Sequence, residues 1–295
     1  GSEMCIRDSY GNLALVRCRA LIGLAHVNCR DRSIAKARQL LQDAFAILLP
    51  WLDQRFQAQI SQPQRALDRQ IPPNLLPLAP GDDALHGRLL LHLHATKAFV
   101  ELWQMRIFGH EDDNPLDWAY TSGRNAAQFY LQLPDQYEHA GDLHLLLAEY
   151  GLESARRKHT RQHYDWLIEA HGMIQQADHI RNQLQADSFT TYPISEMIKL
   201  LEYEYRLLRL RADPQNPTLR LAMQEVEVFC ASHRRDDYPH AYLRGRGYAL
   251  LSRFSYLNSP PQVVDRHLNL ALAAFDISGD TLWQSYIGRR SYLHE

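Results

Sequence analysis

The feature that most constrains this chain is a three-and-four spacing of apolar residues that recurs along nearly its whole length. From Ala84 to Arg106, Leu85, Leu89, Leu93, Thr96, Val100 and Trp103 line one face of a helix. Leu143, Leu147 and Tyr150 continue the pattern, then Trp166, Ala170, Met173 and Ala177. Ile194, Ile198, Leu201, Tyr205 and Leu208 follow, then Ala222, Val226 and Phe229. Tyr242, Ala249, Ser252 and Tyr256 precede Val264, Leu268, Leu272 and Phe275. No segment alternates apolar and polar residues long enough for a strand, and Leu, Ala, Gln and Arg outweigh Val and Thr. The fold class is all-α.

The breaks between helices are short. Phe108-Gly109-His110 ends one helix, and Asp113-Asn114-Pro115 opens the next. Leu133-Pro134-Asp135 separates two more. The run 212–217 and Asn258-Ser259-Pro260-Pro261 are turns followed by first-turn prolines. Ser278-Gly279-Asp280 reads as a C-terminal glycine and a new cap. The expected pairs are 12–29 with 31–59, 82–108 with 115–133, 136–155 with 158–178, 191–211 with 217–233, and 238–257 with 261–277. A single helix over 280–294 closes the series. Pro63, Pro72, Pro73, Pro77 and Pro80 make 60–83 a long loop, because proline blocks a continuous helix. Four domains are therefore expected: residues 1–9, an N-terminal hairpin at 10–59, the Pro-rich loop at 60–83, and a helical repeat domain at 84–295. The first nine residues, GSEMCIRDS, resemble a translated sequencing adaptor, with a tag or disordered tail as the alternative, and are set aside from fold reasoning.

Composition narrows function by exclusion. With 32 Lys+Arg against 34 Asp+Glu the chain is near neutral, which argues against a nucleic-acid binder. No apolar run is long enough to span a membrane. Cys18, Cys29 and Cys230 are widely spaced and show no CxxC, so neither a disulfide framework nor a zinc ribbon is expected, and a cytoplasmic location fits. Lysine occurs only at positions 36, 97, 158 and 199, and arginine supplies the remaining positive charge, as in a GC-rich genome.

Repeated hairpins of this size imply an α-solenoid, in which each unit buries its apolar face against its neighbours. Second helices end alike, in Ala44-Phe45, Ala127-Gln128-Phe129, Val228-Phe229 and Ala274-Phe275. The last unit, 241–292, resembles a tetratricopeptide repeat. Gly245 and Tyr248 match that family's small-then-aromatic spacing on a first helix, and Ala271 and Phe275 match the second. The run Ala271 to Asp280 is similar to unit endings in large bacterial regulators and signalling ATPases. The resemblance implies a TPR-like array of about five hairpins plus a terminal helix, serving as a sensor or docking arm and a fragment of a larger bacterial regulator. The period is longer than the family's, and the earlier units lack its tryptophan and proline.

Candidate chemistry is sparse. His159 and His163 stand one helical turn apart, but Lys158 and three arginines between 156 and 161 disfavour a metal dication. The strings Asp82-Asp83-Ala84-Leu85-His86 and Asp236-Asp237-Tyr238-Pro239-His240 read as helix caps rather than metal half-sites. Glu149 and Glu153 could serve acid–base work, but on an exposed helix such a pair faces water. Gly245 and Gly247 lie within a helical pattern, so they suit close helix packing rather than a dinucleotide loop. No catalytic residue, metal or cofactor is expected, and the chain is not read as an enzyme. Tyr and Arg, by contrast, recur on the late first helices, and these side chains often carry binding energy at interfaces. The expected groove for a protein or peptide partner is lined by Tyr203, Arg206, Tyr242, Arg246 and Arg253. A helical enzyme or a small-ligand or metal domain with a site between hairpins is the alternative.

Overall fold

The computed structural model describes residues 2–56, 83–108, 114–133, 137–157, 161–184, 194–211 and 216–291. All regular structure among them is helical. The helices are α1 (Ser2–Arg30), α2 (Ile34–Phe56), α3 (Asp83–Phe108), α4 (Asn114–Tyr130), α5 (Tyr137–Arg157) and α6 (Arg161–Leu184). They continue with α7 (Ile194–Leu210), α8 (Pro217–Ser232), α9 (Tyr238–Asn258), α10 (Pro261–Ser278) and α11 (Thr281–Ser291). The Pro-rich segment and His159 lie outside the described residues, apart from the first residue of α3, Asp83. Helix α1 begins at Ser2, so residues 2–9 of the adaptor-like segment are helical. No proline interrupts residues 2–30, and the helix propagates through them.

The chain divides into two compact units, Gly1–Leu143 and His144–Glu295, with the boundary inside α5. In the first unit, α1, α2 and α3 all touch one another, and α3 packs on α4. The N-terminal hairpin therefore does not stand apart. His26 on α1 stacks on Phe99 of α3 at 4.4 Å, and Trp51 on α2 stacks on His86 at 5.3 Å. Arg38 Nε donates to Glu101 Oε1 at 2.9 Å, tying α2 to α3. The core of α1 is Leu15, Cys18, Ile22, Ala25 and Cys29, at steps of three and four. Burying each large aliphatic side chain contributes about 1.5–3 kcal/mol.

In the second unit each helix packs on the next: α6 on α7, α7 on α8, α8 on α9, α9 on α10 and α10 on α11. Tyr150 on α5 meets Trp166 on α6 at 6.3 Å. Helices α7 and α9 also touch, skipping the intervening α8. The helix ends carry the capping chemistry legible in the sequence. Asn216 accepts from Thr218 N at 2.9 Å ahead of Pro217, and Asp237 accepts from His240 N at 3.1 Å. Gly279 closes α10 in the left-handed conformation at φ 69°, and Asp280 accepts from Trp283 N at 2.9 Å to open α11.

A second role of glycine is close approach. A Cβ on Gly245 would lie 2.8 Å from Phe275 Cε1 on α10, and one on Gly247 would lie 2.4 Å from Cys230 Sγ on α8. These two glycines, on nearly opposite faces of α9, bring it against α10 and α8.

Candidate functional site

The late first helices carry a buried network of arginines, carboxylates and aromatics. Arg246 is 3% exposed. Its Nη1 donates to Glu149 Oε1 at 3.0 Å and to Tyr242 Oη at 2.9 Å. Its guanidinium carbon lies 4.3 Å from the centre of the Trp283 ring. Burial opposes the Arg246 charge, but Glu149, Tyr242 and Glu204 more than offset it, and its pKa stands above the ordinary guanidinium value. Burial also pushes the Tyr242 phenol up to about 12.

A second centre forms around Glu204 on α7. It accepts from Arg253 Nη1 of α9 at 3.3 Å and from Arg156 of α5. Arg156 also pairs with Glu153, one turn back on α5, and lies 3.4 Å from the Tyr286 hydroxyl of α11. Arg157 Nε donates to Glu153 Oε1 at 3.0 Å, and Arg211 Nη1 donates to the Arg156 carbonyl at 3.0 Å. Arg253 lies 4.9 Å from the centre of the Tyr286 ring. Four helices, α5, α7, α9 and α11, thus send side chains into one interior. Side chains of α5 reach α11.

The five expected groove residues separate into two sets. Tyr242, Arg246 and Arg253 belong to this interior. Tyr203 and Arg206 face α8 instead: Tyr203 meets Phe229 edge-on at 5.9 Å, and Arg206 Nη1 donates to Glu225 Oε2 at 2.6 Å. Residues three apart on α7 share that side, whereas Glu204, Leu207 and Leu208 turn inward. Glu149 and Glu153 correct another expectation. They face the interior rather than water: Glu153 lies in a stretch of α5 buried all round from Tyr150 to Ala155, and Glu149 pairs with Arg246 with 12% of its side chain exposed.

Other candidate chemistry has structural partners. Asp237 is a cap, as its spacing implied. His163 Nδ1 donates to the Ala155 carbonyl at 2.6 Å. No group of three or more potential metal ligands occurs among the described residues. Cys18, Cys29 and Cys230 are buried free thiols. Burial is the leading cause that pushes them up to about 11, 12 and 12, so they are poor nucleophiles at neutral pH. No helix of the described residues is long and apolar enough to cross a membrane.

A different face carries exposed apolar side chains that the sequence spacing does not mark. Leu13, Val16, Leu24 and Val27 on α1 are 65%, 65%, 50% and 52% exposed. Ala20 and Gly23 are exposed between them, and nothing lies within 4 Å of a Cβ at Gly23. This stripe lies on the opposite side of α1 from its buried stripe. The helix is apolar on two faces, so its apolar spacing reads as an ordinary core helix unless both sets are counted separately. A surface helix with one buried face normally presents polar residues on the other. In comparisons with known proteins, no family model, curated protein or solved structure matches the chain.

Proposed function

We propose that the chain is a protein-interaction module built as a TPR-like array of helix hairpins, and that its recognition surface is the outer face of α1. The carrying observation is the open apolar stripe of Leu13, Val16, Leu24 and Val27 opposite a filled core stripe. Contiguous exposed apolar surface of this kind marks interaction sites. The inner face of the late first helices serves a different purpose. Arg246 and Arg253 already hold Glu149 and Glu204, so a peptide entering there would have to displace buried ion pairs. A photo-reactive amino acid placed at Val16 tests the reading, with the same group at exposed Asn269 on α10 as the control. Defined cross-links from position 16 that disappear in Leu13→Gln/Leu24→Gln are expected. Equal labelling at both positions, or none at position 16, would refute it.

A sensor reading has one observation in its favour. Nη2 of Arg246 and Nε of Arg156 are buried without a hydrogen-bond acceptor. A small anion drawn into the interior would satisfy such donors. Titration with inorganic phosphate or succinate would then raise the unfolding temperature of the wild type but not of Arg246→Met. An unchanged wild-type melt would exclude binding of either probe.

A further inference from the structure

The exposed stripe of α1 has an internal symmetry. Its members, Leu13, Val16, Ala20, Leu24 and Val27, are spaced by three, four, four and three residues. The spacing reads the same in both directions about Ala20. Laid antiparallel on a second α1, this stripe places Leu13 opposite Val27, Val16 opposite Leu24, and Ala20 opposite itself. That is the requirement of an isologous two-fold contact, in which one patch must complement its own copy. The central position is also the smallest side chain of the five. Gly23 beside it leaves open space, so two helix axes can approach closely where they cross.

We infer that the outer face of α1 pairs with the same face of a second copy of this chain, two antiparallel α1 helices crossing at Ala20. The inference rests on the docking role proposed for this face and names its occupant. Size is compatible with a weak dimer. The four exposed aliphatic side chains present on the order of 400 Å² per copy. With their flanks, two copies would bury about 1,000 Å², the lower limit for a specific interface. Dissociation on the order of 10 μM is therefore expected rather than obligate pairing. Arg17 and Arg19, both exposed, flank the crossing. Two copies bring four guanidinium groups towards one another, so added salt, which screens their repulsion, should strengthen the pairing. A contact held together by surface ion pairs would respond in the opposite direction.

Sedimentation of the full chain from about 1 to 200 μM, at low and high salt, reads this directly. The expected result is a monomer–dimer equilibrium whose association rises with salt. Ala20→Glu puts two carboxylates at the two-fold axis on an exposed position, and should abolish the dimer while leaving helicity and melting temperature unchanged. Ala20→Cys should form a symmetric disulfide under mild oxidation, mapped to position 20 in both chains. Leu13→Cys should cross-link only to Val27→Cys. A chain monomeric throughout, a dimer indifferent to Ala20→Glu, or a Leu13–Leu13 cross-link overturns the proposal. Cross-links from position 16 to another protein or to this chain's own residues, with the chain monomeric, would refute self-pairing. Only the foreign cross-link would leave the docking role of α1 standing. No cross-link at all removes both.

Discussion

The side chains that dominate the second unit act by being buried in pairs. Arg246 is the clearest case, held by Glu149 and Tyr242 and stacked on Trp283. Arg246→Ala removes the guanidinium from Glu149, whose side chain is 12% exposed. Losing one partner of a largely buried pair costs up to about 3–5 kcal/mol. Urea unfolding should show a loss of that size for Arg246→Ala and a smaller one for Arg246→Ala/Glu149→Gln, which removes both charges. Additive losses would mean the pair is not coupled. Such a loss would contradict the expectation that Arg246 and Tyr242 line an open groove for a partner. Their identity and helical register were legible. Their burial was not, because a Tyr–Arg spacing is the same whether the face meets a partner or three other helices.

Histidine contributes at the same scale in the first unit. Burial holds His94 down to about 3 from an ordinary value of 6.5, and Lys97 adds to the effect. Burial, with Arg30 and His92, holds His26 down to about 4. A histidine whose folded pKa lies below its unfolded value must charge at a cost, so its stability is whole above pH 6.5 and falls as pH drops towards the folded pKa. Urea midpoints should therefore be lower at pH 5 than at pH 7, with a smaller difference in His94→Leu. An equal difference in both would assign the acid sensitivity to other groups.

Helix ends and helix contacts were the best-read level. Pro217, Asp237, Gly279 and Asp280 take the places their chemistry demands, and most observed boundaries fall within three residues of the expected ones. Phe45, Phe129, Phe229 and Phe275, expected alike near the ends of second helices, are all buried, although α2 runs on past Phe45 to Phe56. The packing role read for Gly245 and Gly247 also has a geometric basis. Gly247→Ala would drive a methyl into Cys230 Sγ, and overpacking of this kind costs about 1–3 kcal/mol. Cys230→Ala should restore much of that loss in the double variant, measured as a coupling energy in chemical denaturation. No restoration would mean that the steric conflict lies elsewhere. The double apolar character of α1 escaped the same reading, because periodicity reports a face without saying how many neighbours cover it.

At the scale of the whole molecule, an all-helical chain and its hairpin order were legible, while the meeting of α5, α7, α9 and α11 was not. That meeting depends on how the helices pack, which is set by side-chain volumes summed over many contacts. In the second unit that interior is filled with the protein's own ion pairs, and in the first unit α1 keeps an exposed apolar stripe. The sharpest measurement compares cross-linking yield from a photo-reactive group at Val16 in two variants. Leu13→Gln/Leu24→Gln should abolish the product and leave the melting temperature intact, while Tyr242→Phe/Arg246→Met should lower the melting temperature and leave the product intact. The reverse pattern would place recognition on the inner helices and contradict the account.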